Sequence, residues 1–188
     1  MTRLTEDPSA LTKSFYAVDA VAAFDHQDAA ALGRMARDAR GPARYSLHRS
    51  AGEDLHCMVI LQPSGVYPQP RKHASKAKSF HLVSGEMVVV CFTDEGDVRS
   101  LHRLASDECL IVRIAPGIYH TNYSLTEQAI YHEVIAGPYD RARDDRHYAA
   151  FAPSSDEQEG GRTWLEGLIR AHRPELLTPE DLGPREIG

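Results

Sequence analysis

The sequence has little cysteine, and what it has is not arranged to cross-link the chain. Only Cys57, Cys91 and Cys109 occur among 188 residues. Their number is odd and no pair has C-x-x-C spacing, so they are typical of reduced, buried thiols rather than of a disulfide framework or a zinc knuckle. The apolar fraction of 42% is sufficient for a hydrophobic core.

Long apolar runs and concentrated positive charge are also missing. No segment approaches the ~18 apolar residues that a membrane span needs, and the first 30 residues lack the apolar centre of a signal peptide. The net charge is -6, with 21 basic and 27 acidic residues mixed along the chain. Nucleic-acid binders usually carry a basic stripe. The sequence therefore predicts a cytoplasmic protein that binds neither membranes nor nucleic acid.

Common catalytic motifs are absent as well. The chain contains no P-loop, dinucleotide fingerprint, nucleophile elbow or H-E-x-x-H motif, which excludes the hydrolases and nucleotide enzymes built on them. What it does have is ten histidines, several of them inside predicted strands.

The pattern along the chain predicts a mainly β protein with helical ends. Residues 1–42 are alanine-rich and predict a helical segment, with residues 19–42 as its helix and Gly41-Pro42 as its end. Residues 43–153 contain short apolar runs separated by turn residues, which favours an antiparallel sandwich or jelly roll. The strands are predicted at residues 55–61, 79–84, 87–93, 108–114 and 129–135.

Residues 154–188 predict a C-terminal helical extension. Residues 163–172 form an amphipathic pattern with Trp164, Leu165, Leu168 and Ile169 on one face. A second, short helix is expected to start at Thr178.

Two segments resemble the motifs of the cupin superfamily. Gly65, Arg71-Lys72-His73, Lys78 and Gly85 have the spacing of the first cupin motif, and "APGIYHTN" at residues 115–122 resembles the second. The resemblance implies a jelly-roll β-barrel in which His73 and His120 take the places of metal-binding histidines. Arg71 and Lys78 stand where the family has its first histidine and its glutamate.

A narrower resemblance, to the WbuC family of small cupins, covers about residues 36–153. It depends on several separated segments, including "KSFHLVSGEMVVVCFTDEGDV" and "YHEVIAGPYD". That family is named as metalloproteins and is found beside genes for cell-surface polysaccharide synthesis, but the resemblance implies no settled reaction.

A metal site would need a third ligand beside His73 and His120, because catalytic metal sites usually have three protein ligands. His81, His132 and Glu133 are the candidates, and strand alternation allows only one of His132 and Glu133 to point inward. The predicted set for a divalent Fe, Zn, Mn or Ni ion is His73, His120 and His132. His120 and Glu133 are the candidate catalytic residues.

Without a metal, the same residues suit anion binding and acid–base chemistry. Arg71 and Lys78 would bind a carboxylate or phosphate, while a histidine would move a proton at neutral pH. Tyr67 and His81 are further candidate substrate-binding residues, although alternation places His81 opposite to Lys78.

The sequence thus predicts a cupin enzyme, with metal-dependent isomerase, lyase or oxygenase chemistry preferred. Its expected substrate is a small anionic metabolite of polysaccharide or specialised-metabolite biosynthesis, and the expected assembly is a homodimer. The alternatives are a metal-free cupin that uses histidine acid–base catalysis on a sugar nucleotide, and a non-catalytic cupin that binds a small anion.

Overall fold

The computed structural model describes residues 3–8, 10, 12–140 and 145–177. Strands account for 40% of the chain and helices for 19%, so the protein is mainly β. The elements, in chain order, are β1 (Leu4–Glu6), β2 (Lys13–Ala17), α1 (His26–Ala39), β3 (Ala43–Ser46), β4 (Leu55–Pro63), β5 (Arg71–His73), β6 (Lys78–Ser84), β7 (Met87–Phe92), β8 (Val98–Leu104), β9 (Ile111–Ile114), β10 (Tyr119–Ser124), β11 (Gln128–Ala136), β12 (Arg146–Tyr148), α2 (Gln158–His172) and a 3-10 turn (Pro174–Leu176).

These strands form two sheets. One has seven strands in the order β1-β2-β3-β4-β11-β6-β9, and the other has five in the order β12-β5-β10-β7-β8. All pairings are antiparallel except that of β2 with β3. Among the described strands no ladder joins the two sheets, so the architecture is an open pair of sheets and the predicted closure into a barrel is not shown.

The main core lies between the sheets, and strand β7 shows how side-chain alternation builds it. Met87 and Val89 belong to the cluster between the sheets, together with Phe80 of the opposite sheet. Val88 and Val90 point the other way, into a second cluster. Strand β7 is therefore buried on both faces, as its continuous apolar sequence predicts.

Helix α1 covers the outer face of the seven-stranded sheet. It begins after Asp25, whose carboxylate accepts hydrogen bonds from the backbone of Gln27 and Asp28 in a capping box. Leu32 and Ala36 then pack against a cluster that includes strand β4. The prediction of a helix from residue 19 placed its start too early, because Asp25 caps the chain only at that point.

The first residues of the chain are strands rather than part of a helical segment. Strand β2 pairs with β3, and β1 pairs with β2, so they extend the seven-stranded sheet. The sequence of β2, "KSFYA", contains adjacent aromatic residues, which favour strands. The alanine content of residues 18–42 outweighed this signal in the sequence prediction.

Helix α2 covers the outer face of the five-stranded sheet. Leu165 and Ile169 are fully buried there, with Trp164 and Leu168 at the edge of the same cluster, which confirms the predicted apolar face. The helix starts five residues earlier than predicted. The expected helix start at Thr178 lies outside the described residues.

The cysteines are free thiols as predicted, but the predicted burial is correct only for Cys91; Cys57 and Cys109 are half-buried. In the described part of the chain, no helix combines the length and the apolar character that crossing a bilayer requires.

Candidate functional site

Five charged or titratable side chains converge at one end of the space between the sheets. We call this space, lined by Arg71, His73, Lys78, His120 and Glu133, the cup. Arg71 and His73 are two residues apart on β5, and Arg71 lies opposite His120 on β10. Lys78 and Glu133 come from β6 and β11 of the facing sheet. The charges of Arg71 and Lys78 both act on the two histidines, since the four side chains are close together.

Lys78 and Glu133 form a buried ion pair at the base of the cup. The Lys78 Nζ to Glu133 Oε1 distance is 3.1 Å, and the side chains are only 3% and 8% exposed. Burial alone would raise the pKa of Glu133, but the charges of Lys78 and Arg71 outweigh it and lower that pKa to about 2. Burial lowers the pKa of Lys78, which the Glu133 carboxylate opposes. Glu133 is therefore ionised and holds the Lys78 proton in place.

His120 is held in one neutral tautomer. Its Nδ1 lies 2.9 Å from the carbonyl oxygen of Ile118, which can only accept a hydrogen bond, so Nδ1 carries the proton. Nε2 then carries the lone pair, and this buried atom has no hydrogen-bond partner in the described part of the chain. Burial, with the charges of Lys78 and Arg71, lowers the pKa of His120 to about 3.

His73 is oriented by a carboxylate that the sequence prediction missed. Its Nδ1 lies 3.2 Å from Oδ1 of Asp145, and Asp145 also accepts a 2.6 Å hydrogen bond from the backbone N–H of Ser75. Burial would raise the pKa of Asp145, but the hydrogen bonds from Ser75 and His73 lower it to about 2. Burial and the charge of Lys78 lower the pKa of His73 to about 4. His73 is thus a neutral imidazole that donates from Nδ1 to an ionised carboxylate.

Further polar residues of the site were also missed. Arg146 on β12 lies opposite His73, and its charge acts on both His73 and Lys78. Gln62 and Asn122 form a buried 2.9 Å hydrogen bond. Strand β12 has only three residues in an irregular charged segment, so periodicity could not reveal it. The inward position of Asn122, two residues after His120, was the available signal.

The predicted metal-ligand set is not assembled. Because Glu133 points into the cup, its neighbour His132 points to the outer face of the sheet. There it packs against His81, with ring centroids 5.4 Å apart. His132 therefore does not join His73 and His120, and His81 does not line the cup as a substrate-binding residue. Nowhere in the described residues are three histidine, cysteine, aspartate or glutamate side chains placed to hold one metal ion.

Tyr67, the remaining substrate-binding candidate, lies under helix α2 instead of in the cup. It is 1% exposed, and its hydroxyl donates a 2.8 Å hydrogen bond to the carbonyl oxygen of Pro153. Its ring occupies the space beside Gly161, where a Cβ atom would come within 2.1 Å of it. Burial raises the pKa of Tyr67 to about 12. This tyrosine is a packing residue between α2 and the sheet.

Among the cavities of the described structure, one lies apart from the cup and another shares Lys78 with it. One, of about 440 Å³, is lined by residues of the β1–β2 connection and by the end of α1, including Glu6, Asp7 and Pro42. The other, of about 150 Å³, is bounded by Lys78, Arg113 and residues 134–136 at the ends of β6, β9 and β11. Neither brings histidines together, so the chemistry points to the cup.

Comparison with solved structures shows a fold similar to that of proteins with a cupin fold. CapF from Staphylococcus aureus, a capsular polysaccharide assembling protein, matches with a TM-score of 0.50 and 16% sequence identity over 57% of this chain. The match covers 29% of CapF, so this chain corresponds to less than a third of that protein. KdgF from a Halomonas species matches with a TM-score of 0.42 and 17% identity, over 55% of this chain and 84% of KdgF. At this identity the CapF match shows the fold alone.

A family model described as "Domain of unknown function (DUF6016)" matches residues 24–104. This segment runs from the cap of α1 to the end of β8, and includes Arg71, His73 and Lys78 but not His120 or Glu133. None of the curated proteins matches the chain. The resemblance to the WbuC family stays a prediction.

Proposed function

We propose that this chain is a cupin-type protein that binds a small anionic metabolite in the cup. The observation that carries the proposal is that Arg71, which forms no ion pair within the described residues, is the cross-strand partner of His120. Its charge acts on His120, whose buried Nε2 has no hydrogen-bond partner among the described residues. Arg71 supplies a planar, permanently charged fork that suits a carboxylate or phosphate. It is partly exposed, so a ligand can reach it from solvent.

The charge balance of the site supports an anionic ligand. Lys78 is neutralised by Glu133 at 3.1 Å, while the charge of Arg71 acts on both neutral histidines. Asp145 is engaged by His73 and Ser75. Arg71 forms no ion pair within the described residues, so a bound anion would compensate its charge in this largely buried site.

His120 gives the site a means of moving a proton. A bound anion would offset the charges of Arg71 and Lys78 that depress the pKa of His120, so binding raises that pKa towards neutrality. Nε2 would then accept a proton from carbon beside the carbonyl of the ligand. The C–H electron pair would become an enolate whose oxygen is stabilised by Arg71. Return of a proton from Nε2 to the same carbon would re-form the C–H bond, so the site would exchange that hydrogen with solvent.

The residues of the cup do not fit the metal-dependent form of the prediction. His73 and His120 are the histidines that face it, and the third position would fall to Glu133, which Lys78 already engages. Catalytic metal sites usually have three protein ligands, so two histidines without a third donor do not make such a site. The acid–base chemistry proposed for His120 needs no metal ion.

Thermal unfolding with charged and neutral sugars tests the proposal. D-Glucuronate and glucose 6-phosphate are expected to raise the Tm of the wild-type chain, whereas D-glucose is not. Arg71→Gln should abolish the increase. Lys72→Gln is the matched control, since Lys72 is adjacent in sequence but faces outward, where it pairs with Asp94. Equal responses in both variants would contradict the proposal, and loss of the response in EDTA would favour the metal-dependent alternative.

Non-catalytic anion binding is a second candidate, favoured by the position of His120. Its imidazole is buried, and burial with the charges of Lys78 and Arg71 lowers its pKa, so it is a weak base at neutral pH. Incubating the stabilising anion with the protein in D2O separates the two functions. Deuterium incorporated beside the carbonyl, and lost in His120→Asn, indicates catalysis; no incorporation indicates binding alone.

A further inference from the structure

The outer face of the seven-stranded sheet carries a pair of histidines that the cup does not use. His81 on β6 and His132 on β11 are direct cross-strand partners. Such partners have Cβ atoms about 4.5–5.5 Å apart. The imidazole centroids are 5.4 Å apart and the ring planes meet at 85°. Nε2 of His132 is buried and has no hydrogen-bond partner in the part of the chain that the structure describes.

We propose that His81 and His132 form a two-histidine site for a late first-row divalent cation such as Zn²⁺, with water as the remaining ligand. Two imidazoles that share a tetrahedral ion at an N–Zn distance of about 2.0–2.1 Å have ring centroids about 5 Å apart, close to the spacing observed. Neutral imidazole is a ligand that zinc, copper and nickel prefer.

The surroundings of the pair allow an ion to enter from solvent. His81 lies opposite Ile111 of the edge strand β9, and Ile111 is 58% exposed. On the other side, His132 lies opposite Val59, which belongs to the cluster under α1. Both histidines are half-buried, with His81 on the side of the edge strand and His132 on the side of the cluster under α1.

This site is independent of the proposed anion site. Because strand alternation places Lys78 and Glu133 on the inner face, the backbone of the sheet separates the two groups. A metal bound by His81 and His132 would therefore not depend on Arg71, His73 or His120. The inferred function of this histidine pair is metal binding and not catalysis.

Isothermal titration of the full chain, purified without a histidine tag, with Zn²⁺ tests this inference. The wild type should bind one ion per chain, or one per two chains if a second copy supplies the other ligands. His81→Ala and His132→Ala should each weaken binding roughly tenfold or more, because each removes one of two protein ligands. His102→Ala, at an exposed histidine on β8, is the matched control and should bind like the wild type.

Two results would overturn the inference. One is unchanged Zn²⁺ binding in both single variants. The other is loss of binding in His73→Ala and His120→Ala but not in His81→Ala, which would place the metal in the cup. If His132→Ala unfolds, His81→Asn keeps the test decisive, since His81 is only partly buried and its replacement leaves the core intact.

Discussion

At the scale of single residues, the site depends on how each charge in the cup is compensated. Glu133 is the counterion of Lys78, and Asp145 orients His73, whereas Arg71 and Nε2 of His120 are left for a ligand. Taking two charges out of water is costly, and their attraction offsets the cost only when both partners are present. The consequence is a buried pair that tolerates joint replacement better than the loss of one member.

Glu133→Gln is expected to destabilise the protein by about 3–5 kcal/mol, because it leaves the Lys78 ammonium buried without its counterion. Chemical denaturation gives the change in the free energy of unfolding. The double variant Lys78→Met/Glu133→Gln should recover much of the loss, since no unpaired charge is then buried. A cost below about 1 kcal/mol for the single variant, the value of an exposed pair, would show that the pair is solvated.

At the scale of elements, strand alternation decides which histidines share a space. The sequence located β4, β6, β7 and β11 closely, and it recognised that His132 and Glu133 must face opposite ways. It could not choose between them, because both are compatible with an apolar strand. The ion pair with Lys78 determines that Glu133 faces inward and His132 outward. This pair joins residues 55 positions apart in the chain.

The short strands β1, β2 and β12 could not be predicted, because their local sequence pattern is too weak. Strand β12 is three residues long, and its place beside β5 depends on tertiary pairing alone. Strands β1 and β2 are also short and are stabilised by joining a sheet that begins after α1. The apolar face of α2 was predicted correctly, since it follows from helical periodicity within one segment.

The packing of α2 against Tyr67 gives a prediction that can be controlled within the same helix. Gly161→Ala places a Cβ atom 2.1 Å from the Tyr67 ring, whereas Gly167 of the same helix has nothing within 4 Å. Gly161→Ala should destabilise the protein by about 1–3 kcal/mol through overpacking, and Gly167→Ala should stabilise it by up to about 1 kcal/mol through helix propensity. Urea denaturation of both variants checks this. Equal effects would mean that α2 does not pack on Tyr67.

At the scale of the whole molecule, buried neutral histidines couple stability to pH. Burial lowers the pKa of His48 and of His73 to about 4, and that of His120 to about 3. An unfolded histidine has a pKa near 6.5, so between pH 6.5 and 4 the unfolded chain binds more protons than the folded one. The free energy of unfolding is therefore highest above pH 6.5 and decreases as the pH falls from 6.5 towards 4.

Between pH 6.5 and 5, each of these histidines should cost up to about 2 kcal/mol of stability, from about 1.4 kcal/mol per pH unit. Denaturation at pH 7, 6 and 5 measures the slope. His73→Gln should flatten it by the share of one histidine, while His102→Gln, at an exposed position, should not. A free energy of unfolding that is constant from pH 7 to 5 would contradict the buried, neutral state of these residues.

The proposed function depends on an unprotonated Nε2 of His120 that faces the bound anion. NMR titration of the His120 imidazole, without ligand and then with saturating D-glucuronate, measures this state. The free protein should have an Nδ1-protonated ring with a pKa of about 3, and the pKa should be higher when the anion is bound. A pKa near 6.5 in the free protein, or one that the anion leaves unchanged, would rule out this arrangement.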